Sequence, residues 1–319
     1  MTEHADYGII TKTIGDHESI DSQVIASSAT AFYYHNVELL VQFAKLLGYQ
    51  SDVVKYSILK DTIKAAFIAK FYQPSTGYVD IHTAAAQAYA LYFNLIPHGA
   101  TENVLQVLLN EVTIKNNRHI SAGIFGTKFI LEVLSKAGYF EIVYQMVSNK
   151  TYPGWVYMLD HGATTLWEHW AYNENVYSHN HPMFGTVSEW SYRHLAGIRP
   201  AENAIGFNEI VIQPQIATMQ WAKASYQSVL GKILSSWKKT EQDFILEVEI
   251  PVNASAIVYI PGNLTEIKEG GKPIATMADI KFVKEEKNYS VLQIGSGKYR
   301  FSVALNHLSS LNFKYQSKL

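Results

Sequence analysis

The sequence predicts a multidomain chain, helices first and strands after, and three observations carry that prediction. Between the first loop and residue 195, apolar residues recur at spacings of three and four, the period of an amphipathic helix. Beyond Pro200 that period stops, and short β-branched runs alternate with turns bearing glycine and proline. The helical stretches are of similar length and follow one another, as the hairpins of an α/α toroid do, and 319 residues suffice for two domains. The expected boundary leaves 1–199 as the α/α-toroid domain and 200–319 as an antiparallel β-sandwich.

Taken in order, the chain opens with a polar lead and a loop, Gly15-Asp16-His17-Glu18-Ser19-Ile20-Asp21, that holds three carboxylates. It reads either as chemistry or as the solvated start of a helix capped by Asp21 or Ser22. Tyr33, Val37, Leu40, Val41, Ala44 and Leu47 mark the first helix, and Gly48 supplies its stop. Tyr56, Leu59, Ile63, Ala66 and Phe67 form the stripe of the second, closed by Pro74 and Gly77. The alanine-rich run from Thr83 to Tyr92 predicts a helix packed closely on both sides. Val104, Leu105, Leu108, Leu109 and Val112 give the next, opened by Thr101. Gly123 and Gly126 read as a turn before the helix of Phe129, Ile130, Val133 and Leu134, which Gly138 caps. A short helix near Phe140 to Val147 and a last one from Phe184 to Leu195 complete this part. The strands expected after it are Glu209 to Ile212, Gly231 to Trp237, Phe244 to Ile250, Ala256 to Ile260 and Tyr299 to Val303.

Hydrophobic residues at 48% and charged residues at 17% describe a globular protein, and a net charge of -2 gives no electrostatic grip on nucleic acid. The absence of cysteine excludes disulfides, thiolate metal sites and cysteine nucleophiles. No stretch approaches the ~20 apolar residues of a membrane span, and the first residues carry no signal-peptide pattern, so a soluble chain of unassigned compartment is expected.

Chemistry concentrates in Gly162-Ala163-Thr164-Thr165-Leu166-Trp167-Glu168-His169-Trp170. A carboxylate walled by indoles is partly desolvated, which favours its neutral form and suits acid–base work. The plain alternative places Glu168 in the first turn of a helix, with Trp167 and Trp170 as core residues on one face. The flanks decide for chemistry: Tyr152-Pro153-Gly154-Trp155 precedes, and Ser178-His179-Asn180-His181-Pro182-Met183-Phe184-Gly185 follows. Large aromatic faces mixed with directed polar groups suit a sugar. His179 and His181 could share a cation, but the spacing is weak without a third ligand.

These motifs, in this order with Gly123-Ile124-Phe125-Gly126-Thr127 between them, resemble the bacterial α-L-rhamnosidases of glycoside hydrolase family 78 over nearly the whole chain. The resemblance implies an (α/α)6 barrel and inversion at the anomeric carbon, with Glu168 as general base on water. It also implies a rhamnoside substrate, with His181 on the sugar and Trp155, Trp167, Trp170 and Asp16 lining its site. No metal or other cofactor is implied. Two features depart from the family pattern. The family has tryptophan where His17 stands, and its general acid lies in an arginine- and aspartate-rich segment upstream of the Gly-Asp loop, where this chain begins. Fewer helical stretches precede the strands than the twelve of an (α/α)6 barrel, so an incomplete toroid is expected. Asp16, Glu18, Asp21 and Asp160 could replace the acid by residue type, though none matches it. Two other functions stay open: an inactive sugar-binding fragment, and a related toroid acting on another sugar by hydrolysis or phosphorolysis. An incomplete toroid exposes apolar helix faces, which favours self-association. Light scattering should show it, and a monodisperse monomer would contradict the expectation.

Overall fold

The computed structural model describes residues 5–172, 178–216, 218–286 and 288–304. It divides into two compact units, Met1–Val187 and Ser188–Leu319. The divide falls inside a short helix, earlier than the change in composition at Pro200 that set the expected boundary.

The first unit opens with a two-stranded ribbon, β1 (Ala5–Asp6) and β2 (Ile9–Ile10). Its helices are α1 (Ile25–Leu47), α2 (Gln50–Phe71), α3 (Ala84–Tyr92), α4 (Thr101–Asn110), α5 (Ile124–Lys136), α6 (Phe140–Ser148) and α7 (Trp155–Asp160). Successive helices pack as hairpins, α1 on α2, α3 on α4 and α5 on α6, while α3 also packs against α1 and α5. The odd-numbered members form the inner layer. Every residue from Ala84 to Ala90 is buried in α3, whereas α2 buries only Ile63, Phe67 and Phe71. Small alanine side chains permit that close approach on both faces of α3. Phe32 of α1 joins the inner helices through edge-on contacts with Tyr89, Phe93, Phe125 and Phe129 at 5.6–6.0 Å.

Glycine ends two helices as the sequence predicts, Gly48 after α1 and Gly138, φ 92°, after α5. Gly48 takes the left-handed conformation, φ 77°, and the Tyr49 N–H donates to the Ala44 carbonyl, which closes α1. Thr83 caps α3 by accepting from the Ala86 N–H at 3.3 Å. Elsewhere the expectations need correction. Val24, not Asp21 or Ser22, is the N-cap of α1, with no side-chain cap. Gly126 lies inside the first turn of α5 instead of in a turn before it. The last expected helix is three pieces: a 3-10 turn at Pro182–Phe184, α8 (Thr186–Trp190) and a π turn at Ser191–Leu195.

The second unit holds two sheets. Its strands are β3 (Ile198–Pro200), β4 (Glu209–Ile212), β5 (Trp221–Ser228), β6 (Gly231–Lys239), β7 (Asp243–Ile250), β8 (Ser255–Pro261), β9 (Lys268–Glu269), β10 (Lys272–Pro273), β11 (Lys281–Glu286), β12 (Tyr289–Ile294) and β13 (Gly297–Ala304). Six order as β10-β9-β13-β7-β6-β5 and five as β11-β12-β8-β4-β3. Ile210, Ile212, Val258, Ile260 and Leu292 from one sheet share a core with Ile233, Trp237, Leu246, Val248 and Phe301 from the other, which makes a sandwich. One pairing departs from the antiparallel expectation, since β4 runs parallel to β8. The sequence also hides β11, because Lys-Phe-Val-Lys-Glu-Glu is an edge strand that lies almost wholly in solvent and needs no apolar alternation.

Among the described residues, no helix is long and apolar enough to cross a membrane. Leu40, Phe43 and Leu47 of α1 and Val54 and Ile58 of α2 are exposed. Trp237 is 1% exposed and donates its indole N–H to the Leu195 carbonyl at 2.7 Å. Trp237→Ala should therefore cost about 3–5 kcal/mol of the second unit's stability, measured as a lowered urea midpoint.

Candidate active site

The site begins with a buried anchor. Asp16 is fully buried, and its carboxylate accepts from the backbone N–H groups of Gly123, Phe125 and Gly126 at 2.9–3.0 Å. These donors open α5, so Asp16 caps that helix from another part of the chain and meets the positive end of its dipole. Burial pushes the carboxyl up from its ordinary value, against the three N–H bonds that pull it down. The contact needs glycine on the other side. A Cβ on Gly126 would lie 2.4 Å from the Asp16 carboxylate, and one on Gly123 would lie 2.0 Å from the His17 carbonyl. The Ile124 N–H donates to that carbonyl at 2.9 Å, and the Ile20 and Asp21 N–H groups both donate to Ser121. The loop is thus fastened along its length.

A tight turn then aims the next side chains. The Ser19 N–H donates to the Asp16 carbonyl at 3.1 Å, and Glu18 occupies the left-handed region at φ 63°. Such a conformation is uncommon away from glycine and concentrates at functional sites.

Glu168 sits in an extended loop, not in the first turn of a helix. The Glu168 N–H donates to the Ser178 carbonyl at 3.0 Å and the His181 N–H to the Leu166 carbonyl at 2.8 Å, so the two limbs of the loop lie side by side. The Thr165 hydroxyl donates to the His179 carbonyl between the same limbs. This pairing brings the two expected site residues together: His181 Nδ1 is 3.6 Å from Glu168 Oε2. On the other oxygen, His17 Nε2 is 3.8 Å from Glu168 Oε1. His17 Nε2 is also 3.6 Å from Glu18 Oε1, and His169 Nδ1 contacts Glu18 Oε2. Imidazole and carboxylate therefore alternate through five side chains, from His181 through Glu168, His17 and Glu18 to His169. Among the described residues, no group of three or more His, Asp or Glu is arranged to hold a metal ion.

The tryptophans stand behind this row. Trp155, Trp167 and Trp170 are only 2–6% exposed. Trp170 donates its indole N–H to Ala122 and Trp155 donates to Phe184, both at 3.0 Å, and the two rings meet edge to face at 5.2 Å. Little of their ring faces is open to solvent, and their indoles pack behind the Glu168 loop. Asp16 is likewise buried, its oxygens engaged by backbone donors. The exposed ring beside Trp167 is Tyr172, 5.3 Å away. His17 and His169 stand inside motifs the sequence singled out but were given no role there, and Tyr172, two places beyond the motif, was not considered. Of the other acids considered, Asp21 lies 4.0 Å from Lys115, and Asp160 is exposed at the end of α7.

A family profile for the bacterial alpha-L-rhamnosidase 6 hairpin glycosidase domain matches residues 3–195, and one for the C-terminal domain of the same enzymes matches 197–275. The chain belongs to the bacterial α-L-rhamnosidase family. An alpha-L-rhamnosidase of Formosa agariphila is 31% identical over 284 residues, covering 85% of this chain and 30% of that protein. The α-L-rhamnosidase structure from Dictyoglumus thermophilum superposes with a TM-score of 0.84 at 35% identity, covering 94% of this chain and 34% of that one. The Streptomyces avermitilis α-L-rhamnosidase, solved with L-rhamnose, gives 0.84 at 28% identity over 95% of this chain and 29% of that one. The chain thus spans about a third of the length of these rhamnosidases. Its fold is part of a helical six-hairpin glycosidase domain followed by the β-sheet domain of the family.

The anchor's contribution is measurable. Asp16→Ala strands three N–H donors in a space without water and should cost roughly 3 kcal/mol or more in urea unfolding. Gly126→Ala should be of similar severity, since it drives a methyl group into the same carboxylate.

Proposed function

We propose that this chain carries the water-activating half of an α-L-rhamnosidase site, removing terminal α-L-rhamnose from glycosides with inversion. Glu168 takes a proton from a water molecule as that water's oxygen bonds to the anomeric carbon. His181 holds the sugar beside it. The observation that carries this reading is the position of Glu168 within the rhamnosidase six-hairpin match, 12% exposed and flanked on each oxygen by an imidazole. An acceptor so placed is within one water of a substrate carbon. Trp155, Trp167 and Trp170 serve as the packed support that fixes the loop, and Tyr172 is the ring open to solvent.

A second reading is an inactive sugar-binding site, favoured by the open ring of Tyr172 beside the Glu168 loop. A base without an acid binds the sugar and turns over slowly, because each partner in acid–base catalysis supplies about 10²–10⁴ in rate. Hydrolysis of p-nitrophenyl α-L-rhamnoside and calorimetry with L-rhamnose separate the two. The hydrolase reading expects turnover that Glu168→Gln lowers by about 10²-fold or more while sugar binding persists. Turnover unaffected by that substitution would sink it, and binding without turnover would establish the second reading.

A further inference from the structure

We infer that Tyr78 and His82 form the subsite for the sugar to which the terminal rhamnose is attached; this rests on the rhamnosidase reading of Glu168. The loop that carries them leads into α3, and it meets the loop of Asp16, His17 and Glu18, which leads into α1. Two contacts join the loops at that end of the helices. The Ser27 hydroxyl, in the first turn of α1, donates to the Asp80 carboxylate. Lys115 Nζ, on the π turn that follows α4, donates to the His82 carbonyl at 2.9 Å and lies 4.0 Å from Asp21 Oδ1.

The imidazole of His82 lies flat on the Tyr78 ring, 3.7 Å away with the planes 5° apart. Tyr78 is half-buried and His82 is exposed, so the phenol backs the imidazole and leaves its outer face to solvent. Holding the ring there runs against local backbone preference, because Asp80 and His82 both occupy the left-handed region, at φ 54° and 56°. Burial does not offset that cost, since Ile81 and His82 are both exposed. The surroundings nevertheless fix the conformation. The Asp80 N–H donates to the Phe71 carbonyl at 2.9 Å, and Gln87 of α3 binds both the N–H and the carbonyl of Val79 at 3.0 Å. Backbone held in this way against its preference concentrates at ligand-binding positions.

A pyranose presents an apolar face to an aromatic ring and directed hydroxyls around its edge. The outer face of His82 supplies the first surface. Lys115, half-exposed and held by Glu111 at 2.7 Å, supplies donors for the hydroxyls beside it, and Asp21 supplies an acceptor. Asp21 lies on the same short loop as Glu18, so these polar groups face the side from which the rhamnose site is entered. Because the sugar removed is the terminal one, a sugar bound outside its position belongs to the leaving group.

Calorimetry on the Glu168→Gln chain, in which the sugars stay intact, compares methyl α-L-rhamnoside with rutinose, whose rhamnose is linked to glucose. Rutinose should bind roughly 2–10-fold more tightly, the gain that one stacked ring supplies. His82→Asn removes the ring and keeps a residue that tolerates the left-handed backbone. It should abolish the preference for rutinose and leave the affinity for the methyl glycoside unchanged. Tyr78→Leu removes the backing ring without touching the left-handed positions, and it should reduce the same preference. Equal affinity for the two sugars before substitution, a preference that survives either substitution, or equal weakening of both sugars would overturn the subsite and leave the reading of Glu168 standing. Binding of neither sugar to the starting chain would overturn that reading, and the subsite with it.

Discussion

The loop that carries His17 and Glu18 depends on one buried carboxylate meeting the start of one helix. Asp16 satisfies three N–H groups that no residue within α5 could satisfy, and it does so from more than a hundred residues away in sequence. The charge lies in a dry environment, which penalises it, and the donors and helix dipole offset that penalty. Because the acceptors are spent on backbone, the loop cannot slide along α5. His17 and Glu18 inherit their positions from that fact.

The second limb of the site is held by a different device. Two lengths of loop, Leu166 to Glu168 and Ser178 to His181, exchange backbone hydrogen bonds without becoming a sheet. Trp170 reaches under them to Ala122, beside the donors that hold Asp16. The two limbs are therefore tied to the same short stretch before α5, one through a carboxylate and one through an indole. Preorganisation of this kind lets a carboxylate act as a base without first paying to order its surroundings.

The alternation of imidazole and carboxylate follows from the same geometry. Among the described residues, His17 lies near both acids, 3.6 Å from Glu18 Oε1 and 3.8 Å from Glu168 Oε1.

Much of the architecture was legible in the residues. Periods of three and four set the helices, Gly48 and Gly138 set two of their ends, and the loss of that period beyond Pro200 set the β-module, all of them local effects of backbone geometry and side-chain burial. The motif around Glu168 and the choice of His181 as a second candidate were readable too, because a small set of residue types in fixed order carried them; their contact was not. Tertiary structure alone decided the rest. It buried Trp155, Trp167 and Trp170 behind the Glu168 loop, set Asp16 as the cap of a helix over a hundred residues away, and ran β4 parallel to β8. It also set Glu18 and Glu168 on one histidine. Those outcomes depend on which distant backbone groups lack partners and which faces meet, and no spacing along a chain records that.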